Sequence, residues 1–222
     1  MTEQLIQGTP EWKHARCGSL GASRVAEALA KTKTGWGASR ANVMADLIIE
    51  RLTGNPVEGF TTAAMQWGTE QEPNARAEYE LRHRCEVTEV GLIRHPSIAN
   101  THASPDGLVG DDGLLEIKAP QAAAHLETLQ SRAVPGKYET QILWQLACTG
   151  RAWCDYVSFH PQMPAAMQLF VKRVHRDPSR IAEMERHVSD FLREVDEKLA
   201  DLRATYIERR NVLAEKLKAS AA

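Results

Sequence analysis

Hydrophobic positions along this chain recur with two periods. Over 41–52, Val43, Met44, Leu47, Ile48 and Leu52 fall at helical spacing, and Gly54-Asn55-Pro56 ends the pattern. A second helix is predicted over 63–84, interrupted at Trp67-Gly68 and carrying Glu72, Ala75, Ala77 and Tyr79. Strand-like stretches follow at about 86–94, 101–109 and 114–119, then a helix over 138–149 bounded by Pro135-Gly136 and Gly150. Strands at about 152–159 and 166–174 complete a core of about residues 10–175. Asp177-Pro178 is an N-cap followed by proline at the first turn. From Ile181 through Met184, Val188, Phe191, Val195, Leu199 and Leu202 to Tyr206, apolar residues recur at spacings of three and four, which predicts a helix over about 178–218. That seam fits packing back onto the core and subunit contact alike. The order gives an α/β fold with a mixed central sheet flanked by helices, an α-rich N-terminal part and a long C-terminal helix. No repeat or low-complexity linker divides residues 1–222, which predicts one domain.

The segment Ser104-Pro105-Asp106-Gly107 followed by Leu115-Glu116-Ile117-Lys118-Ala119 carries the densest chemistry. Between its halves lies Val109-Gly110-Asp111-Asp112-Gly113, whose Asp-Gly step signals a hairpin turn. Folding about Asp111 sets Asp106 opposite Glu116, with Cβ atoms roughly 5 Å apart. Alternation puts Glu116 and Lys118 on one face and Leu115, Ile117 and Ala119 on the other, apolar one. Two acids and an amine thus share a small space. Such a pair suits a hard divalent cation, since Mg²⁺ needs few carboxylates and keeps several waters. A lysine beside the ion can orient or deprotonate a bound water, and a neighbouring cationic charge disfavours the protonated amine. The bland reading of the same residues is a surface hairpin with a Glu116–Lys118 ion pair.

Asp106…Glu116-x-Lys118 resembles the PD-(D/E)XK nuclease signature, with Pro105 as the leading proline. Three further segments resemble the phage lambda-type exonucleases, the YqaJ-like viral recombinase nucleases, in that family's order. They are Trp12-x-x-x-Arg16-x-Gly18-x-x-x-Ala22-Ser23, Trp67-Gly68-x-x-x-Glu72-x-x-Ala75-Arg76, and Tyr138-x-x-Gln141. With the hairpin they span about residues 10 to 150.

The resemblance implies a PD-(D/E)XK nuclease-like core. It implies a Mg²⁺-dependent enzyme (Mn²⁺ substituting) that digests one strand of duplex DNA from a 5′-phosphorylated end. Asp106, Glu116 and the Ile117 carbonyl would hold metal, Glu72 would assist, Lys118 would serve the attacking water, and Gln141 would hold Lys118 or that water. Arg16, Ser23 and Ser104 would grip the end phosphate, and Met65 stands where the family carries an apolar wedge. Alternatives from the residues alone are an ordinary helix glutamate for Glu72, core packing for Met65, a packed or solvated amide for Gln145, and an N-cap at Ser19–Ser23. The family further implies a closed homotrimer ring around DNA and a single-strand annealing protein as partner. A restriction-type or junction-cleaving endonuclease, or a catalytically silent end-binding module, could share the hairpin.

Composition narrows the setting. Hydrophobic residues make up 43% and charged residues 25% of 222, near globular averages. No apolar run reaches a membrane-spanning length and the start is not a signal peptide, so no membrane is expected and the cytoplasm of a bacterial host is, with phage or prophage origin. A net charge of −2 argues against a generic DNA-coating protein, though a local basic groove remains compatible. Candidates for it are Lys31–Arg40, with Trp36 as an exposed aromatic, and Arg82-His83-Arg84; solvated loop charges fit either equally. Cys17, Cys85, Cys148 and Cys154 lack zinc-ribbon or iron–sulfur spacing and are expected as reduced, mostly buried thiols.

Overall fold

Thr9 opens the first helix, α1 (Pro10–Ala15), by accepting the Trp12 N–H on its side-chain oxygen, and proline takes the first helical position. The computed structural model describes residues 5–33, 35–57, 59 and 62–210. After α1 come a short strand β1 (Leu20–Gly21), a 3₁₀ turn (Ala22–Arg24), α2 (Val25–Ala28) and a small hairpin of β2 (Lys31–Thr32) and β3 (Gly35–Trp36). Helix α3 (Ala38–Thr53) starts three residues before its apolar pattern and ends at Gly54, whose left-handed φ of 70° closes it. Helix α4 (Ala63–His83) is not broken at Trp67-Gly68. Thr62 caps it by accepting the Met65 N–H, and a mid-helix glycine costs only about 1 kcal/mol. Burial of Ala75 and Tyr79 against the sheet outweighs that.

Both long N-proximal strand predictions divide. Residues 86–94 become β4 (Val87–Thr88) and β5 (Ile93–Arg94), and 101–109 become β6 (Thr101–Ala103) and β7 (Gly107–Val109). Strands β6 and β5 join β1 in a three-stranded sheet, while β4 and β7 belong to the main one. Pro105 has no N–H for a ladder, so the second strand ends there. The first breaks because the N-terminal arm occupies the gap. A Cβ on Gly91 would lie 1.9 Å from the Leu5 carbonyl oxygen, and Gln7 donates to both Val90 O and Pro105 O at 2.8 and 2.9 Å.

The main sheet adds β8 (Gly113–Lys118), β9 (Trp153–Phe159) and β10 (Leu169–His175) in the order β10-β9-β8-β7-β4. Within this sheet β8 and β9 alone run parallel, bridged by α5 (Ala122–Ser131) and α6 (Gly136–Thr149). Helix α5 was not expected from the pattern. Its alanine run has no amphipathic period, and only His125 and Thr128 are buried.

Helix α7 (Pro178–Leu202) begins at Asp177, whose carboxylate accepts the N–H groups of Ser179 and Arg180, and runs into a π-turn at Arg203–Glu208. Residues 211–218 of the predicted helix lie outside the described residues. The apolar seam packs back: Ile181, Val188, Phe191, Val195 and Leu199 join the core with α3 and α6, and only Tyr206 is left exposed, at 69%. No helix among the described residues is long and apolar enough to cross a membrane.

Candidate active site

Gly110, at φ 53°, turns the chain so that Gly107, Leu108 and Val109 pair with Leu115, Leu114 and Gly113. One step further the same register sets Asp106 opposite Glu116, and the Asp106 N–H donates to Leu115 O at 3.1 Å. The Asp106 Oδ2 accepts the Ile117 N–H at 2.6 Å, capping an edge of β8 that β7 no longer covers. A strand residue's N–H and C=O face the same neighbour, so the Ile117 carbonyl looks onto that open edge beside Asp106. Alternation holds on both faces. Leu115 and Ile117 pack with Ala75 and Tyr79 of α4, while Leu114 packs beneath α6 and α7. Glu116 and Lys118 point the same way as Leu114, toward α6.

Glu116 is wholly buried. A carboxylate there costs several kcal/mol unless donors meet it, and three do. Gln141 Nε2 donates to Oε1 at 2.7 Å, Gln145 Nε2 donates to Oε2, and the Lys118 ammonium pairs with Oε1. Gln145, left open as a packed amide by the sequence, thus grips the same carboxylate as Gln141. Because an ionised carboxylate cannot donate, both amides must turn nitrogen toward it.

Burial alone would lower the Lys118 pKa. The charges of Glu116 and Asp106 and the hydrogen bond to Glu116 outweigh it and hold the ammonium above its ordinary range. Burial and the Glu116 charge push the Asp106 carboxyl well up, Lys118 opposing. Glu72 on α4 is also raised, mainly by burial, against the pull of Arg76. Arg76 ties it in place: its Nη2 donates to Glu72 Oε1 at 2.7 Å and to the Asp106 carbonyl at 3.4 Å.

The donors fit a hard divalent cation. Two acids crowd one buried space, and Asp106 Oδ1 takes no hydrogen bond from any described residue. No three His, Cys, Asp or Glu side chains converge among the described residues, so two carboxylates and the Ile117 carbonyl would have to serve. Glu72 is not in that set.

A second centre lies across Ser104-Pro105. Arg16 stacks over Trp12, Cζ 4.0 Å from the ring centroid, and its Nε donates to His102 Nε2 at 3.1 Å. Burial lowers its pKa, Glu50 opposing, yet among the described residues no carboxylate forms an ion pair with it. It lines a cleft of about 770 Å³ with Trp12, Ser19, Gly21, Arg24 and Met65. Met65 is 59% exposed in that cleft and is no core residue. Ser104 accepts the Trp12 indole N–H at 3.2 Å and does not itself line the cleft. Ser23 is exposed in the 3₁₀ turn and does not line the cleft, and Gly21, not a serine, is the N-cap there. Nothing local in the sequence ties His102 or Ser19 to this centre. The available signal was a histidine on a three-residue buried strand beside Ser104-Pro105-Asp106, since buried polar groups need partners.

The basic candidates fare unequally. Trp36 is exposed and sits over Arg40 and Lys31, but Arg40 itself is buried against Phe191 and paired with Glu194 at 2.6 Å. Arg82 pairs with Glu78 and donates to the Leu169 and Ala165 carbonyls, and His83 stacks on Tyr79, so that cluster braces the sheet. Cys148 and Cys154 are buried, Cys17 and Cys85 half-buried, and all four are free.

The model of the YqaJ-like viral recombinase domain matches residues 11–152. An alkaline exonuclease (LHK-Exo) from Laribacter hongkongensis is 49% identical, with a TM-score of 0.83 over 88% of this chain and 97% of that one. The same enzyme in complex with dAMP gives 0.84 at the same identity and coverage. A phage related exonuclease from Haemophilus somnus 129PT, 14% identical over 86% of this chain and 99% of that one, shares the fold at a TM-score of 0.67. No curated protein matches.

Proposed function

The chain belongs to the YqaJ-like viral recombinase family, and from that premise we propose a Mg²⁺-dependent exonuclease that digests duplex DNA 5′ to 3′ from a phosphorylated end. It leaves a 3′ single-stranded tail for recombination by annealing, and Mn²⁺ substitutes. The observation that carries the reading is Glu116, a buried carboxylate clamped by Gln141, Gln145 and Lys118 beside Asp106. A relative at 49% identity is an alkaline exonuclease, crystallised also with dAMP, a nucleoside monophosphate.

Asp106, Glu116 and the Ile117 carbonyl would hold the ion, which when bound supplies Lewis acidity and a nucleophilic water at neutral pH. Gln141 and Gln145 fix Glu116 in one rotamer, and Arg76 keeps Glu72 against the rim. Lys118, on the same carboxylate, orients the attacking water. Arg16 offers its terminal nitrogens to the end phosphate, with Met65 as the wedge; Ser104 and Ser23, which family resemblance adds as donors, stand outside the wall of the cleft. Family resemblance supports a homotrimer ring, handover to an annealing protein and a phage or prophage gene acting in the bacterial cytoplasm. A net charge of −2 supports enclosure over electrostatic grip.

The test is digestion of end-labelled linear duplex with Mg²⁺, with Mn²⁺ and with EDTA, beside covalently closed circles. Mononucleotides released from 5′-phosphorylated ends, spared circles and silence in EDTA are expected. Intact linear DNA with either metal overturns the reading, and nicked circles point to an endonuclease. Light scattering at micromolar concentration that shows only monomer would refute the ring.

A further inference from the structure

We propose that His102 is a positioning residue that aims the Arg16 guanidinium at the DNA end, acting as a single tautomer. This rests on the reading of the Arg16 cleft as the 5′-phosphate pocket. A guanidinium has donors and no acceptor. The 3.1 Å contact from Arg16 Nε therefore requires a lone pair on His102 Nε2, which leaves the proton on Nδ1. That proton has a partner: Ser19 Oγ lies 2.8 Å from Nδ1. Both ring nitrogens are thereby committed, in opposite senses, within a ring that is 1% exposed.

The surroundings leave little slack. His102 sits on β6 beside Gly21 of β1, where an added Cβ would stand 3.1 Å from His102 Nε2 and 3.3 Å from Arg16 Nη2. Glycine thus lets histidine and arginine meet without a side chain between them. Trp12 covers one face of the guanidinium, and its indole N–H is itself anchored on Gly91 O at 2.9 Å and on Ser104. With Nε held and a face stacked, the terminal nitrogens are what remains for a ligand. A free arginine side chain carries about 2 kcal/mol of rotamer entropy, and ordering it before binding removes much of that cost. Protonated His102 would set N–H against N–H and release the arginine.

Two near-isosteric variants separate this role from mere packing. In His102→Gln an amide oxygen reaches the place of Nε2 and can still accept from Arg16. In His102→Asn the amide reaches only the place of Nδ1, keeping Ser19 and dropping Arg16. The readout is the ratio of kcat/KM on 5′-phosphorylated over 5′-hydroxyl linear duplex, with binding of the phosphorylated duplex in EDTA alongside. His102→Gln is expected within about threefold of the unsubstituted ratio, and His102→Asn to lose about tenfold, in KM, as for one charge-assisted hydrogen bond. Equal ratios in both variants, kept or lost, overturn the proposal. Arg16→Ala distinguishes the underlying reading: if it keeps the ratio the pocket is elsewhere and both fall, whereas its loss beside a retained ratio in His102→Asn sinks the positioning role alone. If neither histidine variant melts cooperatively, Ser19→Ala takes their place. It should lower the ratio about threefold, and an unchanged ratio overturns the proposal.

Discussion

The carboxylate centre at Glu116 and the guanidinium centre at Arg16 flank the same Ser104-Pro105 step and are built in opposite ways. Glu116 is an anion saturated from within: two amides and an ammonium meet its two oxygens. Arg16 is a cation with one nitrogen tied to a neutral ring and no carboxylate partner among the described residues. The first centre is a charge fixed in place by its own donors, and the second is a charge whose terminal nitrogens have no carboxylate partner among the described residues. On the proposed function, the difference puts chemistry at one end of Ser104-Pro105-Asp106 and recognition at the other, three residues of backbone apart.

Lys118 bears most directly on the carboxylate centre. Lys118→Ala removes the ammonium and leaves Glu116 its two amide donors, so the fold should survive while cleavage falls about 10²- to 10⁴-fold. End-labelled duplex with saturating Mg²⁺ measures the loss. Rates within tenfold of the unsubstituted protein would show that this centre is structural.

Acid should strain the two centres in opposite directions. Burial, then the charges of Arg16 and Arg94, pull the His102 pKa down to about 3, against about 6.5 unfolded. Between those values the unfolded chain takes a proton that the folded one refuses. His102 therefore withdraws stability as pH falls from about 6.5 toward 3, by at most on the order of 5 kcal/mol. Asp106 has the other sign: its folded pKa is raised, so acid relieves a penalty present above that pKa. Urea midpoints at pH 7 and pH 5 should drop more in the unsubstituted protein than in His102→Gln, which has nothing to titrate there. Equal drops would mean that His102 is not held neutral.

The first centre was largely legible in the sequence and the second only partly. A hairpin is local: the Asp-Gly turn and period-two alternation set Asp106 opposite Glu116 with no knowledge of the rest of the fold. Helical spacing likewise put Gln141 and Gln145 on one face, but which amide reached Glu116 depended on how α6 docks over β8, and both do. The Arg16 centre is assembled from α1, β1, the loop before β5, and β6. Resemblance pointed to Arg16 and Ser104, but nothing local tied His102 or Ser19 to them. The same long-range contacts explain the divided strands, since an N-terminal arm and Pro105 interrupt segments whose composition alone reads as continuous.

The double grip on Glu116 is sharpened by comparing Gln145→Leu with Gln141→Leu. Gln145 is buried and Gln141 half-buried, so water can replace only the second donor. Gln145→Leu should cost about 1–3 kcal/mol of stability and Gln141→Leu less. Gln145 Oε1 has no partner, so its removal forfeits no hydrogen bond on that side. Denaturant midpoints decide the order, and a larger cost at Gln141 would mean that the half-buried amide is the principal donor.

Trp12→Phe makes the smallest change and divides the Arg16 centre into its two supports. Phenylalanine keeps an aromatic face for the guanidinium, an attraction worth about 0.5–1 kcal/mol at a partly exposed site. It deletes the indole N–H shared by Gly91 O and Ser104 Oγ. Ser104 is only partly buried, so water can meet it, whereas Gly91 is buried, and a loss of about 1–2 kcal/mol is expected. If the stacked face is what holds Arg16, the preference for phosphorylated ends should shift less than about threefold, while Trp12→Ala, which loses face and donor together, shifts it further. A fall in Trp12→Phe as large as in Arg16→Ala would reverse that order. Ser104, held by the indole two residues before Asp106, would then be the contact that carries end recognition into the carboxylate centre.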